Sequence, residues 1–317
     1  MPQGRFAPSP TGRLHVGNLR TALVAWLAAR VDGSDFLVRF EDLDTASVRD
    51  EHYESQLADL AAIGLDWDGE VVRQSDRMDR YREALDRLVA DDAAYPCFCS
   101  RREIREAAAA PNAGGRTEGR RQAAGHGGHR YPGTCRDLSS AERAERATTR
   151  PPALRFRADG LVRTVDDHVA GPFTFELDDF VIQRNDGVPA YHLVVVVDDA
   201  AQGIELVVRA DDLLESAARQ LVLYERLGLA GPQHAHVPLV LGPDGNRLAK
   251  RHGAVDLDDR AERGQRPDQV LGFLAVSLGL CDDDRADAGV TAAELVDGFD
   301  VAALPRHPLT LPDEWLA

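Results

Sequence analysis

Apolar and polar positions alternate through the N-terminal part of the chain in the order expected for a parallel α/β sheet. A short apolar stretch at residues 5–7 runs into a proline-containing loop, after which apolar side chains recur at helical spacing over residues 19–27. Residues 35–40 (DFLVRF) predict the next strand, and residues 49–63 and 76–90 predict amphipathic helices. Strands and helices therefore alternate from the first residues onward.

The pattern changes at Tyr95. A Cys-x-Cys sequence is followed there by a run of alanines and by a segment rich in Gly, Arg and His at residues 111–129, which predicts a long loop. Residues 154–183 read as short strands separated by turn residues, and Asn-Asp-Gly at 185–187 predicts a tight turn. We therefore expect an inserted, mostly β subdomain at residues 95–189.

The strand-and-helix pattern resumes after this insertion. Residues 191–197 and 204–209 predict strands, and residues 212–227 predict a helix. The fold expected from the whole pattern is a doubly wound, Rossmann-type parallel sheet, split by the insertion and followed by a short helical region. The corresponding boundaries are 1–94 and 190–260 for the split domain, 95–189 for the insertion and 261–317 for the helical region.

Composition favours a soluble globular enzyme. Apolar residues make up 44% and charged residues 28% of the chain, and no apolar run approaches the ~20 residues needed to span a bilayer. The N-terminus has no basic segment followed by an apolar one, so we expect a cytoplasmic protein with no membrane partner. The net charge is −16, yet residues 95–150 contain 11 Arg against 6 Asp or Glu. A polyanion would be expected to contact that stretch.

Phosphate chemistry is indicated first by His15, Gly17 and Asn18, at the predicted junction of a strand and a helix. Such a junction presents free backbone N–H groups and the positive end of a helix dipole, and Gly17 lets a ligand approach the backbone closely. His15 can add a side-chain donor. The alternative interpretation is that these residues only cap the helix.

A second phosphate-binding candidate is Lys250, the only lysine in a chain whose other basic side chains are all arginine. A compact ammonium on a flexible stem suits phosphate oxygens whose charge shifts during a reaction. The alternative is a surface lysine without a role.

Four polar residues are predicted to lie near the carboxyl ends of strands, where open parallel sheets bind ligands: Arg5, Glu41, Tyr191 and Arg209. Two guanidiniums, a carboxylate and a phenol match a zwitterion with an additional carboxylate, which describes glutamate. Taken singly, each residue could instead form an ion pair at the rim of the sheet.

Three cysteines offer a metal site. Cys97 and Cys99 form a close pair and Cys135 comes from a distant loop, which is a plausible set of ligands for structural zinc. Spacing alone favours His126 or His129 as the fourth ligand. Reduced, buried cysteines without metal are the alternative.

Together, these motifs closely resemble those of glutamyl-tRNA synthetases, in both order and spacing. The segments that carry the resemblance are RFAPSPTG at 5–12, HVGN at 15–18, RFEDLD at 39–44, YHLVVVVDD at 191–199 and LAKRHG at 248–253. The resemblance extends from the start of the chain to about residue 254. It identifies residues 15–18 as the HIGH motif and residues 247–251 as the KMSKS motif, although Asn18 and Leu248 replace the usual His and Met.

The resemblance implies a class I aminoacyl-tRNA synthetase that activates L-glutamate with ATP and Mg²⁺. It assigns His15 and Lys250 to catalysis, and both of them with Gly17 and Asn18 to ATP binding. The residues expected to bind L-glutamate are Arg5, Phe6, Ala7, Pro8, Ser9, Glu41, Tyr191 and Arg209.

The roughly fifty residues after Pro267 leave no room for the anticodon-binding region of the long members of this family. The chain therefore resembles their short paralogues, which activate glutamate without tRNA and transfer it to queuosine at the wobble position of tRNA(Asp). In those paralogues the zinc ligands correspond to Cys97, Cys99, Tyr131 and Cys135 of this chain, which makes Tyr131 the expected fourth ligand. We expect structural Zn²⁺ and a monomer.

Three alternatives stay open at this point. The chain could be a shortened glutamyl-tRNA synthetase that charges tRNA(Glu), which the identity of the accepting tRNA would reveal. It could be a non-catalytic nucleic-acid-binding relative, against which the presence of His15, Glu41 and Lys250 argues. It could also be a nucleotidyltransferase of related fold, which would need neither two arginines for glutamate nor a basic insertion.

Overall fold

The computed structural model describes residues 3–109, 130–248, 255–312 and residue 315. Within these residues the strands are β1 (Gln3–Phe6), β2 (Asp35–Phe40), β3 (Val72–Arg73), β4 (Ala94–Cys97), β5 (Ala153–Phe156), β6 (Val162–Asp167), β7 (Gly171–Glu176), β8 (Phe180–Gln183), β9 (Ile204–Ala210), β10 (Gln233–Val237), β11 (Val240–Leu241) and β12 (Leu309–Thr310). The helices are α1 (Val16–Val31), α2 (Asp50–Ala62), α3 (Met78–Ala90), α4 (Arg101–Ala109), α5 (Ser140–Ala147), α6 (Tyr191–Ala201), α7 (Leu214–Leu227), α8 (Leu257–Glu262), α9 (Pro267–Ser277) and α10 (Asp283–Ala288).

The largest sheet has seven strands in the order β3-β2-β1-β9-β10-β6-β7. Its neighbouring strands run parallel, apart from the antiparallel pair β6 and β7. Strands β2 and β3 extend the sheet on one side of β1, whereas β9 and β10 extend it on the other. A crevice forms at the carboxyl ends of the strands where the order reverses in this way. The predicted α/β fold with a parallel sheet is confirmed.

Helix α1 follows β1 and is buried along most of its length, including Leu19, Leu23 and Leu27. It packs closely on β1, because a Cβ atom at Gly4 would lie only 3.0 Å from the Cβ of Ala29. A helix buried on several sides is more apolar than the single stripe of a surface helix. This packing fixes the N-terminus of α1 beside the carboxyl end of β1.

The prediction of a strand at residues 191–197 is wrong, because these residues form the first turns of α6. A continuous apolar run cannot distinguish a buried helix from a buried strand by periodicity. Helix α6 packs against α3, α7, β8 and β9, and Leu193 and Val196 are fully buried. Burial among these elements outweighs the preference of valine for strands. Tyr191 therefore lies at the N-terminus of a helix and not at the end of a strand.

Strands from within residues 95–189 contribute to two sheets. Strands β4, β5 and β8 form a separate antiparallel sheet, although β4 begins at Ala94. Strands β6 and β7 form a hairpin that joins the large sheet beside β10. The division of the chain at residues 95, 189 and 261 stays a prediction.

Helices α8, α9 and α10 pack together after residue 255, and α9 also contacts α1. In the described part of the chain, every helix is too short or too polar to cross a lipid bilayer.

Asp198 ties helix α6 to helix α3 and to the turn before it. Its fully buried carboxylate accepts hydrogen bonds from Gln74 Nε2 at 3.1 Å, Arg77 Nε at 2.6 Å and the Tyr81 hydroxyl at 2.7 Å. A buried charge of this kind stabilises a fold only while its partners are all present.

We expect Asp198→Asn to lower the free energy of unfolding by about 3 kcal/mol, because the substitution leaves Arg77 without its carboxylate. Asp79→Asn is the matched control, since Asp79 pairs with Arg82 on the exposed face of α3. Urea unfolding should separate the two variants. Similar midpoints for both would contradict the importance given to Asp198.

Candidate active site

A cleft of about 540 Å³ opens at the carboxyl ends of β1, β2 and β9, where the fold predicts a ligand crevice. The structure brings together there most of the predicted site residues, which are Arg5, Phe6, Ala7, Pro8, Ser9, His15, Asn18, Glu41, Tyr191 and Arg209. Gly17 lies in α1 directly behind this lining. Lys250 lies outside the described residues, as do His126 and His129.

Glu41 provides a carboxylate at the end of β2. Its backbone N–H donates to the Pro8 carbonyl at 2.9 Å, which joins it to the loop after β1. The side-chain oxygen Oε1 lies 3.8 Å from Arg39 Nη2. Burial raises the pKa of Glu41 to about 7, although the charges of Arg39 and Arg5 oppose this change. A ligand cation in the cleft would therefore favour the ionised form.

Arg5 is held from behind by Asp199. Its Nε and Nη2 atoms donate to the two carboxylate oxygens at 3.3 and 3.5 Å, and Nη1 donates to the Val208 carbonyl at 3.0 Å. These contacts use three of the five guanidinium N–H groups, which leaves two for a ligand.

Arg209 is held more completely. Nε donates to His236 Nε2 at 3.0 Å, Nη1 donates to Gln220 Oε1 at 2.8 Å and to the Tyr191 hydroxyl at 3.3 Å, and Nη2 donates to the Leu213 carbonyl at 3.3 Å. One of its five N–H groups is left for a ligand. Because the Tyr191 oxygen accepts from Arg209, its own proton can be donated into the cleft.

His15 caps helix α1 and lines the cleft at the same time. Its Nδ1 accepts from the backbone N–H groups of Gly17 and Asn18 at 3.1 and 3.3 Å, and Asn18 Oδ1 accepts from the His15 N–H. Burial and the charge of Arg247 lower the pKa of His15 to about 4. A neutral ring that accepts at Nδ1 carries its proton on Nε2. His15 is therefore both the predicted cap and a side-chain donor.

Gly17 leaves the room that the His15 ring occupies. A Cβ atom at position 17 would lie 2.9 Å from Cε1 and 3.0 Å from Nδ1 of that ring. Any larger residue would displace the ring, so the close approach of the histidine, and not backbone strain, favours glycine here.

Val255 lies beside the N-terminus of α1, and Leu248 is buried in the same core as Val255 and Val16. The Val255 carbonyl accepts the N–H of Val16 at 3.0 Å, and His15 forms a bridge with Asp256.

Sequence reasoning missed the buried residues that hold these side chains, including Asp199 behind Arg5 and His236 behind Arg209. One signal was available: Arg39 interrupts an apolar strand, and Asp199 follows a run of valines. A charge within a buried run needs a partner. Nothing in a single sequence shows which residue that partner is.

A second candidate site lies beside the small antiparallel sheet. The Sγ atoms of Cys97, Cys99 and Cys135 all lie within 4.8 Å of one another. The Tyr131 hydroxyl lies 3.3 Å from Cys97 Sγ and 3.9 Å from Cys99 Sγ, and Cys99 and Cys135 are 3.6 Å apart at sulfur. Tetrahedral zinc with bonds of about 2.3 Å places its sulfur ligands about 3.8 Å apart. The donor set and its spacing fit a tetrahedral metal ion.

Two arginines surround this cysteine cluster. Arg155 Nε lies 3.3 Å from Cys97 Sγ, and its guanidinium stacks on the Tyr131 ring at 3.8 Å. Arg146 Nη1 lies 3.7 Å from Cys135 Sγ. Such donors stabilise thiolates, the form in which cysteine binds metal.

The fold is that of a class I aminoacyl-tRNA synthetase catalytic domain. The family model described as tRNA synthetases class I (E and Q), catalytic domain, matches residues 3–306. The chain belongs to this family.

Similar curated proteins carry two names. The glutamyl-Q tRNA(Asp) synthetase of Nocardia farcinica is 53% identical over 99% of this chain and 94% of its own length. The glutamyl-Q tRNA(Asp) synthetase of Symbiobacterium thermophilum is 46% identical over 99% of this chain and 97% of its own length. The glutamate–tRNA ligase of Geobacter sulfurreducens is 42% identical over 95% of this chain, but only 62% of that protein is matched.

A solved structure shows the same fold. The glutamate tRNA ligase of Elizabethkingia meningosepticum, crystallised in complex with its amino acid, superposes with a TM-score of 0.79 at 27% identity. The match covers 99% of this chain and 68% of that one.

Proposed function

We propose that this chain activates L-glutamate with ATP, without requiring tRNA, and transfers the glutamyl group to queuosine at the wobble position of tRNA(Asp). Activation of glutamate is supported above all by the position of Glu41, Arg5 and Arg209 in one cleft. The acceptor is supported by the nearly end-to-end likeness to relatives named glutamyl-Q tRNA(Asp) synthetase. Charging of tRNA(Glu) is the second candidate, because other relatives are named glutamate–tRNA ligase.

Glutamate has one ammonium and two carboxylates, and the cleft offers a partner for each. The ammonium pairs with Glu41, whose carboxyl is poised to ionise. One carboxylate takes the two remaining N–H groups of Arg5, and the other takes the remaining N–H of Arg209 with the Tyr191 hydroxyl. Phe6, Ala7, Pro8 and Ser9 form the adjoining wall.

Activation begins when an oxygen of the glutamate α-carboxylate attacks the α-phosphorus of ATP. The products are glutamyl-adenylate and pyrophosphate, and negative charge increases on the phosphate oxygens during the step. Lys250 and the Nε2–H of His15 are the catalytic donors that stabilise this charge, with Mg²⁺ expected on the phosphates. Gly17 and Asn18, at the N-terminus of α1, complete the ATP site. A queuosine hydroxyl then takes the acyl group and AMP leaves.

We assign Zn²⁺ to Cys97, Cys99, Tyr131 and Cys135. Four protein ligands leave no open position, so the ion would stabilise its surroundings without taking part in the reaction. In this proposal residues 95–189 form the zinc-containing acceptor subdomain, residues 1–94 and 190–260 form the catalytic domain, and residues 261–317 form the helical region. The enzyme would act as a monomer in the cytoplasm.

Exchange of labelled pyrophosphate into ATP tests the first step. With purified protein, ATP and Mg²⁺, we expect exchange that requires L-glutamate and proceeds without tRNA. L-Aspartate and L-glutamine should not support it. Exchange that appears only when tRNA is added would contradict tRNA-independent activation, and its absence under all conditions would contradict activation itself.

Lys250→Ala is expected to slow glutamate-dependent exchange by about 100- to 1,000-fold, because one donor to the developing phosphate charge is lost. Lys250→Arg keeps the charge without the compact ammonium and should recover only part of the rate. Arg263→Ala provides a control, because Arg263 is exposed and does not line the cleft. A normal exchange rate in Lys250→Ala would remove the lysine from the mechanism.

The pKa of Glu41, raised to about 7, predicts that glutamate binding weakens in acid. Protonation removes the charge that pairs with the ammonium, so the glutamate concentration for half-maximal exchange should rise about tenfold from pH 8 to pH 6. The ammonium and the two carboxylates of glutamate itself do not titrate between pH 6 and pH 8.

The matched variant for this pH experiment is Glu41→Gln. It should bind glutamate weakly at every pH and lose the pH dependence, while half-saturation by ATP stays constant. An unchanged pH profile in the variant would show that another group titrates.

The zinc assignment predicts that purified protein contains about one Zn²⁺ per chain, and that Cys97→Ser and Cys135→Ser each lose it. Cys281→Ser is the control, since Cys281 lies outside the cluster. Tyr131→Phe should retain zinc less tightly in competition with a chelator. Full zinc content in both serine variants of the cluster would refute the site.

A further inference from the structure

A chain of three buried side chains extends from the glutamate cleft into the sheet. Arg209 lies on β9, His236 lies beside it on β10 and Asp167 ends β6, so the three come from neighbouring strands. Arg209 Nε donates to His236 Nε2 at 3.0 Å, and His236 Nδ1 lies 2.5 Å from Asp167 Oδ2. The His236 and Asp167 side chains are fully buried.

Asp167 determines which ring nitrogen of His236 carries the proton. Its Oδ1 accepts backbone N–H groups from Val169 at 3.0 Å, Ala170 at 2.8 Å and His236 at 3.1 Å. Because these donors favour the ionised carboxylate, Oδ2 of Asp167 carries no proton and can only accept a hydrogen bond. The proton in the 2.5 Å contact therefore belongs to Nδ1.

Arg209 requires a hydrogen-bond acceptor at the other ring nitrogen of His236, Nε2. A guanidinium can donate hydrogen bonds but cannot accept them, so Nε2 of His236 must present its lone pair. Burial and the charge of Arg209 lower the pKa of His236, against the hydrogen bond to Asp167. A ring that donates at Nδ1 and accepts at Nε2 is neutral. Burial also opposes ionisation of Asp167, but the hydrogen bonds from His236 and Ala170 leave its pKa below the ordinary value.

We propose that Asp167 and His236 are positioning residues that hold Arg209 in the orientation needed to bind glutamate, by locking the imidazole in its Nδ1–H tautomer. The inference rests on the proposed role of Arg209 as a glutamate ligand. Neither residue lines the cleft, and the hydrogen bond from Arg209 to His236 connects them to a side chain that does.

The geometry explains why this tautomer matters. Gln220 and Leu213 fix the two terminal nitrogens of Arg209, and His236 fixes Nε, so the guanidinium plane has little freedom to turn. The opposite tautomer would place an N–H of His236 against the N–H of Arg209 at 3.0 Å. Two donors cannot share that contact, and the arginine would have to move.

Asp167→Asn tests the tautomer directly. The N–H groups of Val169 and Ala170 donate only to Oδ1, whereas the N–H of His236 is shared equally between Oδ1 and Oδ2. The two donors at Oδ1 favour an oxygen there, so we expect the new NH₂ group to face His236 Nδ1. We expect ¹⁵N–¹H spectra to show Nδ1 of His236 protonated in the wild-type protein and unprotonated in Asp167→Asn. Comparison with His236→Phe assigns the signals.

Substrate binding tests the consequence. His236→Phe removes the acceptor for Arg209, so the glutamate concentration for half-maximal exchange should rise about 10- to 100-fold. Half-saturation by ATP should stay constant. His236→Gln retains one acceptor and one donor and should recover part of the loss. Asp167→Asn should weaken glutamate binding as much as His236→Phe does, although the imidazole of His236 is still present in Asp167→Asn.

His234→Phe is the matched control. His234 lies two residues away on β10, is as deeply buried, and has its ring parallel to that of His236 with centroids 5.9 Å apart. Because both histidines are buried, His234→Phe should lower the unfolding temperature as His236→Phe does. Arg209 donates its Nε–H to His236 and not to His234, so His234→Phe should leave half-saturation by glutamate unchanged.

Two results would overturn the proposal: an Nε2–H tautomer in the wild-type protein, or wild-type half-saturation by glutamate in folded His236→Phe. Equal losses in His234→Phe and His236→Phe would reduce both residues to a packing role. A wild-type enzyme without glutamate-dependent exchange would refute the proposed function instead, and the spectra would still report the tautomer.

Discussion

One buried carboxylate, Asp199, forms ion pairs with two buried guanidiniums, those of Arg39 and Arg5. Arg39 Nη1 lies 2.7 Å from it and Arg5 Nε lies 3.3 Å from it. Burial opposes ionisation of Asp199, yet the charges of Arg39 and Arg5 leave its pKa below the ordinary value. The three residues come from α6, β2 and β1, and an unpaired charge in this core would be costly. The charged groups at the base of the cleft therefore depend on the ion pairs of Asp199 with Arg39 and Arg5.

The same principle organises the rest of the site. Three charged side chains that line the cleft each have a partner behind them: Arg39 behind Glu41, Asp199 behind Arg5, and His236 behind Arg209. Groups held in this way need little reorganisation when a ligand arrives, which is the condition for strong electrostatic recognition and catalysis. The ordering is achieved during folding, so a ligand that enters the cleft meets a prepared set of charges.

Sequence reasoning was most reliable where local chemistry determines structure. Strand β2 was predicted at its observed bounds, and the junction at residues 15–18 was recognised because a loop with Pro and Gly precedes apolar residues at helical spacing. It failed at residues 191–197, where only tertiary packing decides between helix and strand. It also missed the partners Asp199 and His236, because buried pairs join residues far apart in sequence.

The central claim is that the glutamyl group is transferred to queuosine in tRNA(Asp), and a transfer assay on defined tRNAs tests it most directly. Purified protein should be incubated with ATP, Mg²⁺ and radiolabelled glutamate on matched tRNA(Asp) with and without queuosine, and on tRNA(Glu). We predict acid-precipitable label only on queuosine-containing tRNA(Asp). Label on tRNA(Glu), or on tRNA(Asp) that lacks queuosine, would contradict transfer to the modified base.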